Sequence, residues 1–158
     1  MHHVGSRVAL IGAPQAAVAG LRPLDYSRYA AEQIGYMLGD NPASFSYLVG
    51  YGTHFPRQPH HKVFFIFFSH PPGLQAAACA SPPARCTWAT FSDTSRANPH
   101  LLAGALVGGP KAADDAYTDL RTDFVSNEVS LDYNAGFTSA VAGLLQLQLQ
   151  GRDGQSKT

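Results

Sequence analysis

The chain has 158 residues, enough for one domain, with 45% apolar and 14% charged residues and 11 Lys+Arg balancing 11 Asp+Glu. A disordered chain shows the opposite balance, and a neutral chain has no excess cationic field for a phosphate backbone, so nucleic acid is not an expected partner. The longest apolar run, Val63 to Phe68, is far short of the roughly 20 residues that a membrane helix needs, so no membrane partner is expected either.

Fifteen Gly and 11 Pro predict helices separated by long ordered loops. The N-terminal stretch around Arg7 and Val8 to Ala13, with Ala17-Val18-Ala19, loosely imitates a secretory signal. It reads better as a helix carrying Val8, Ile11 and Ala19, kinked or ended at Pro14. A second helix is predicted from an Asp25 cap to Leu38, with Ala30, Ile34, Met37 and Leu38 as its apolar stripe and Gly39 as its stop. Arg28 and Glu32 pair on its wet face. Asp40-Asn41-Pro42 turns the chain into an extended or irregular segment from Ser44 to Tyr51.

Asn98-Pro99 predicts a helix through about Val107, closed by Gly108-Gly109-Pro110, and these glycines lack the Lys-Ser/Thr of a phosphate-cradling loop. The last helix is predicted from about Asn134, with Phe137, Val141, Leu144 and Leu145 on one stripe. The apolar-free tail 151–158 is expected to be disordered, leaving 1–150 as the domain. The fold class is therefore all-α with long structured loops, and loops of such length commonly build a site.

Carboxylates concentrate among aromatics in Tyr117-Thr118-Asp119, Phe124 and Glu128-Val129-Ser130. Glu128 lies just ahead of an apolar helix, and a carboxyl held against apolar surface has its pKa raised, as a general acid requires. The alternative makes Glu128 and Asp132 solvated charges at a helix N-terminus. A second cluster, Pro56-Arg57-Gln58-Pro59-His60-His61-Lys62, suits a rigid loop that grips hydroxyls or an anion. His54, His60, His61, His70, Cys79 and Cys86 match no standard zinc spacing, so no metal is expected. No nucleophilic-serine elbow is present, and Cys79 and Cys86 read either as a bridge or as two buried thiols. The residues alone point to a hydroxyl-rich ligand and a carboxylate acid.

The segment Tyr117-x-Asp119-x4-Phe124-x3-Glu128-x-Ser130-x3-Asn134-Ala135 resembles the acidic signature of glycoside hydrolase family nine, the cellulases or endo-β-1,4-glucanases, especially the animal-type members. Tyr36 to Pro42, Leu106 to Pro110 and Asp132 to Phe137 resemble further family landmarks, and the likeness runs from about Ser27 to Leu145. The histidine signature is similar from Ser46 to Pro59-His60-His61-Lys62, with Lys62 where the family has arginine. Lysine supplies charge there but not a guanidinium's planar paired donors.

The resemblance implies the C-terminal portion of an (α/α)6 barrel, hence an incomplete barrel, that hydrolyses cellulose or other β-1,4-glucans with inversion. It implies Glu128 as general acid, Asp119 as an orienting catalytic companion, and His60 with Lys62 as sugar-binding groups, with no cofactor. The family's base comes from an Asp-Ala-Gly-Asp type motif, which this sequence lacks, so the chain is expected to supply the acid but not the base. The alternative is an inactive carbohydrate-binding remnant. The animal-type likeness also implies a Cys79–Cys86 disulfide and an extracellular setting. A phenylalanine-rich segment at 63–75 departs from the family and reads as translated intron, or else as an apolar flap over the cleft.

Overall fold

A computed structural model of the chain describes residues 23–61, 87–112 and 115–155, with the side chains of 23–25 and 151–155 excepted. The N-terminal helix expected around residues 8–19 and the 63–75 segment lie outside the described residues, as do Lys62, Cys79 and Cys86. Helices α1 (Pro23–Met37), α2 (Trp88–Ser92) and α3 (Leu131–Gln155) are the regular elements among the described residues. No helix of the described residues is long and apolar enough to cross a membrane.

Helix α1 starts two residues before the expected cap, because a proline's fixed φ suits the first helical position. Ala30, Ile34 and Met37 are buried, as their spacing predicts. Gly39 ends the helix at φ 114°, and the Asp40 N–H reaches back to the Gly35 carbonyl at 2.9 Å. That left-handed closure is one that glycine adopts without strain. Arg28 and Glu32 approach to 3.7 Å but are 76% and 63% exposed, so the pair contributes only about 0.3–0.5 kcal/mol.

Helix α3 begins at Leu131 rather than Asn134, because the Ser130 hydroxyl accepts the Tyr133 N–H at 3.1 Å and caps the first turn. Its buried face is Phe137 and Ala140 with partly buried Tyr133 and Leu144, whereas Val141 and Leu145, expected on that face, are 37% and 54% exposed. The helix continues through Gln155, so most of the expected disordered tail is helical.

The helix expected over 98–107 does not form. Gly104 sits at φ 84°, and the segment pairs with its neighbours instead: Gly104 N–H donates to Val49 O (2.8 Å) and Val49 N–H to Ala105 O (2.9 Å). Asn134 of α3 locks it further, donating to Gly104 O at 2.6 Å and accepting the Leu106 N–H at 3.1 Å. Tertiary pairing has overridden a local helix signal. The bridges Leu48–Leu106 and Val107–Val129 (antiparallel) and His60–Glu128 (parallel) form a short lattice of extended backbone. Ile34, Met37, Tyr47, Val49, Leu106, Val107, Phe137 and Ala140 form the core between that lattice, α1 and α3.

Candidate active site

The lattice brings the histidine loop to the acidic segment. His60 N–H donates to Asn127 O at 2.7 Å, and Gly108 N–H donates to Glu128 O at 3.0 Å. Gly109 N–H donates to Ser126 O at 2.9 Å. A Cβ on Gly108 would meet Val125 O at 2.4 Å, so only glycine permits this approach. Residues 60 and 128, far apart in sequence, thus sit side by side on main-chain hydrogen bonds.

The loop ahead of His60 is held from two sides. Pro56 and Pro59 are fully buried. Asp119 accepts Arg57 N–H on one carboxylate oxygen (2.7 Å) and Gln58 N–H on the other (3.1 Å). Asn98 holds the opposite side, donating its backbone N–H to Arg57 O (2.8 Å) and its amide to Pro59 O (3.0 Å). Asp119 therefore bears on His60 only through the backbone of the residues ahead of it.

His60 Nδ1 lies 2.7 Å from the Arg121 carbonyl, and because a carbonyl only accepts, Nδ1 is the protonated ring nitrogen of the neutral imidazole. Phe91 and Phe124 meet the ring edge-to-face at 5.3 Å and 6.4 Å. Phe91 is buried, while Phe124 is 64% exposed and offers an apolar face beside the imidazole. At the next position, burial holds the half-buried His61 imidazole below the ordinary value, and the adjacent His60 adds to the effect.

Sequence reasoning missed Asn127, the residue between the two sides. It is completely buried, and its side chain donates to Thr118 O (2.9 Å) and Leu120 O (3.0 Å) while accepting from the Tyr117 hydroxyl. Its N–H donates to Asp123 O at 3.0 Å. Tyr117, packed against Phe45 and Tyr47, is core rather than ligand surface, and burial holds its phenol far above the ordinary range. Asp123 supports the turn, accepting Val125 and Ser126 N–H groups and pairing with Lys111 at 2.7 Å. Burial pushes its pKa up, but Lys111 and the two N–H groups outweigh that and hold it below the usual carboxylate value.

Arg121 was also missed, although a lone arginine inside the acidic-aromatic segment was a legible signal. Glu128 itself is exposed, as in the reading that makes it a solvated charge ahead of the helix, and not held against apolar surface as in the other. A cavity of about 150 Å³ beside the histidine loop is lined by Val49, Pro56, Arg57, Pro59, Asn98 and His100 among others, and neither His60 nor Glu128 lines it. His60, Asp119 and Glu128 are brought together through backbone.

Residues 7–141 match the model of glycosyl hydrolase family 9. The chain belongs to that family. It is 43% identical over 125 residues to endoglucanase B of Cellulomonas fimi, covering 79% of this chain and 10% of that protein. Against endoglucanase 6 of Oryza sativa it is 37% identical over 145 residues, covering 90% and 26%. Among solved structures, the endoglucanase of the termite Nasutitermes takasagoensis superposes with a TM-score of 0.66 at 38% identity, over 92% of this chain and 28% of that one. The Clostridium thermocellum endoglucanase CelQ, complexed with cellotriose, gives a TM-score of 0.57 at 39% identity over 78% and 17%. The chain thus spans about a tenth to a quarter of the length of these relatives.

Proposed function

We propose that this chain is the acid-bearing, C-terminal portion of an (α/α)6 barrel that hydrolyses β-1,4-glucosidic bonds in cellulose with inversion, and is by itself an incomplete barrel. Glu128 protonates the departing glycosidic oxygen, His60 and Lys62 hold sugar hydroxyls, and Asp119 fixes the loop that carries His60. The observation supporting this reading is the direct backbone pairing of residues 60 and 128, with Asp119 on the same loop. Inversion places the second carboxylate about 6.5–9.5 Å from the acid, leaving room for the attacking water. The base motif is absent from this sequence, so that carboxylate belongs to another part of the barrel. A β-1,4-glucan substrate is supported by the relatives, one of which is solved with cellotriose, and an insoluble substrate of that kind is in keeping with action outside the cell.

The chain alone is therefore expected to bind cello-oligosaccharide without turning it over. Titrating cellotetraose into the labelled chain should shift the resonances of His60 and Glu128 selectively. Shifts confined to other regions would overturn the site. Reducing sugar released from soluble cellulose by the purified chain, and abolished by Glu128→Gln, would overturn the missing base.

A further inference from the structure

Arg121 is only 3% exposed, and its partners among the described residues are carbonyls rather than carboxylates. One terminal nitrogen donates to Asp93 O at 2.7 Å and, at 3.4 Å, to Thr90 O; the other donates to Arg96 O at 2.7 Å. Taking a guanidinium out of water is costly, and the charge-assisted bonds made by its two terminal nitrogens offset that, while its buried Nε has no hydrogen-bond partner among the described residues. These carbonyls belong to the end of α2 and the turn beyond it, where helix carbonyls lack intrahelical donors. The residue so clamped on α2 is Phe91, whose ring meets His60 at 5.3 Å and 89°. The main-chain carbonyl of the same arginine holds His60 Nδ1. One residue therefore fixes the imidazole twice, by its own carbonyl and by the ring that its side chain holds in place.

We propose that Arg121 is the positioning residue that keeps His60 in the Nδ1–H form, so that Nε2 meets a ligand as a hydrogen-bond acceptor. This deepens the reading of His60 as a sugar-gripping group and rests on it: the hydroxyl received at Nε2 donates its hydrogen. A lysine at 121 retains the charge but cannot bond carbonyls at both 93 and 96 with a flat fork.

The test reads the tautomer directly and does not depend on glucan binding. Long-range ¹H–¹⁵N spectra of the full chain at about pH 8, where an ordinary imidazole is neutral, report which ring nitrogen of His60 is protonated. The wild type is expected to show Nδ1–H, and a wild-type Nε2–H signature would overturn the proposal. Arg121→Met keeps the main-chain carbonyl and releases only α2, so the Nδ1–H to Nε2–H ratio is expected to fall by up to roughly tenfold, the full worth of one hydrogen bond of ordinary strength, with loss of the His60–Phe91 proton contacts. Arg121→Lys is expected to fall in the same direction by less. Should Arg121→Met fail to fold, Arg121→Lys decides, and should both fail, Phe91→Leu, which removes the ring that the arginine holds in place, decides by the same fall in the ratio. Unchanged tautomer and ring contacts in a folded variant would overturn the proposal. If the tautomer is as expected while cellotetraose leaves His60 unmoved, the glucan reading fails and the positioning role stands.

Discussion

Asn127→Asp changes one group and leaves the shape of the side chain intact, which makes it a sharp probe of the junction between the histidine loop and the acidic segment. In the native chain the amide donates to Thr118 O and Leu120 O from a completely buried position. An aspartate there turns both donors into an acceptor facing two acceptors. Each carbonyl left without a donor costs about 1–3 kcal/mol. Burial and the facing carbonyls also disfavour the ionised form, so the folded-state pKa of the new carboxyl rises above its unfolded value of about 3.9. The folded state then binds more protons than the unfolded one, and stability falls as pH rises through that interval. In the protonated form one carbonyl stays without a donor, at about 1–3 kcal/mol, and ionisation past a pKa raised by about two units adds roughly 2.7 kcal/mol at neutral pH, for a total of about 4–6 kcal/mol, comparable with the whole stability of a marginal domain. At about pH 4 the protonated acid can donate one bond, and much of the loss should return. Urea unfolding followed by far-UV circular dichroism at several pH values measures this. A difference from wild type that is flat between about pH 4 and 7, or below about 1 kcal/mol throughout, would refute the reasoning.

Gly108→Ala places a methyl 2.4 Å from Val125 O, so backbone must move and the bonds from Gly108 and Gly109 to the 126–128 segment stretch. A loss of about 2–4 kcal/mol in urea unfolding is expected, with amide exchange quickening at Gly109. Asp119→Asn leaves one oxygen for two N–H groups, so exchange protection at Arg57 and Gln58 should drop roughly tenfold and cellotetraose affinity should weaken with it. Lys111→Met removes the cation that holds the Asp123 pKa down. Stability that depends on a depressed carboxylate is present above its unfolded pKa and lost as pH falls through the folded one. The variant should therefore be weaker than wild type by under about 1 kcal/mol at pH 7, Lys111 being 55% exposed, and the gap should close below about pH 3 in acid unfolding curves.

The helices were legible where a periodic stripe and a stop signal coincided. Ile34 and Met37 with Gly39 gave α1 within two residues at either end. The 98–107 segment misled because Asn98-Pro99 is a sound local signal for a helix start, whereas the carbonyls and N–H groups that claim 104–106 lie on Val49 and Asn134, remote in sequence. In α3 the apolar residues exceed what one face needs, so spacing alone could not show that Ala140, rather than Val141 or Leu145, meets the core. The site follows the same division. Glu128, Asp119 and His60 stand out by residue type and by their likeness to a known signature. Asn127 and Arg121 act chiefly on backbone carbonyls, which every residue carries, so no sequence pattern names their partners.

Adjacent residues 127 and 128 differ in what their side chains do for the fold. The contacts of Glu128 that build the junction are made by its backbone: its carbonyl accepts Gly108 N–H, and its main chain bridges to His60. Its side chain is exposed. Glu128→Gln keeps that backbone and the side-chain volume, so unfolding stability should stay within about 0.5 kcal/mol of wild type, against the large loss expected one residue earlier. Groups kept for reaction rather than for the fold show this indifference to substitution, because nothing in the folded chain needs their charge. A loss above about 1 kcal/mol in Glu128→Gln would mean that the carboxylate is engaged in holding the fold together, and a carboxylate so engaged is not free to give a proton to a glycosidic oxygen. Equal stability, together with an unchanged amide spectrum away from residue 128, would make any change in cello-oligosaccharide hydrolysis by a complete barrel attributable to the proton itself.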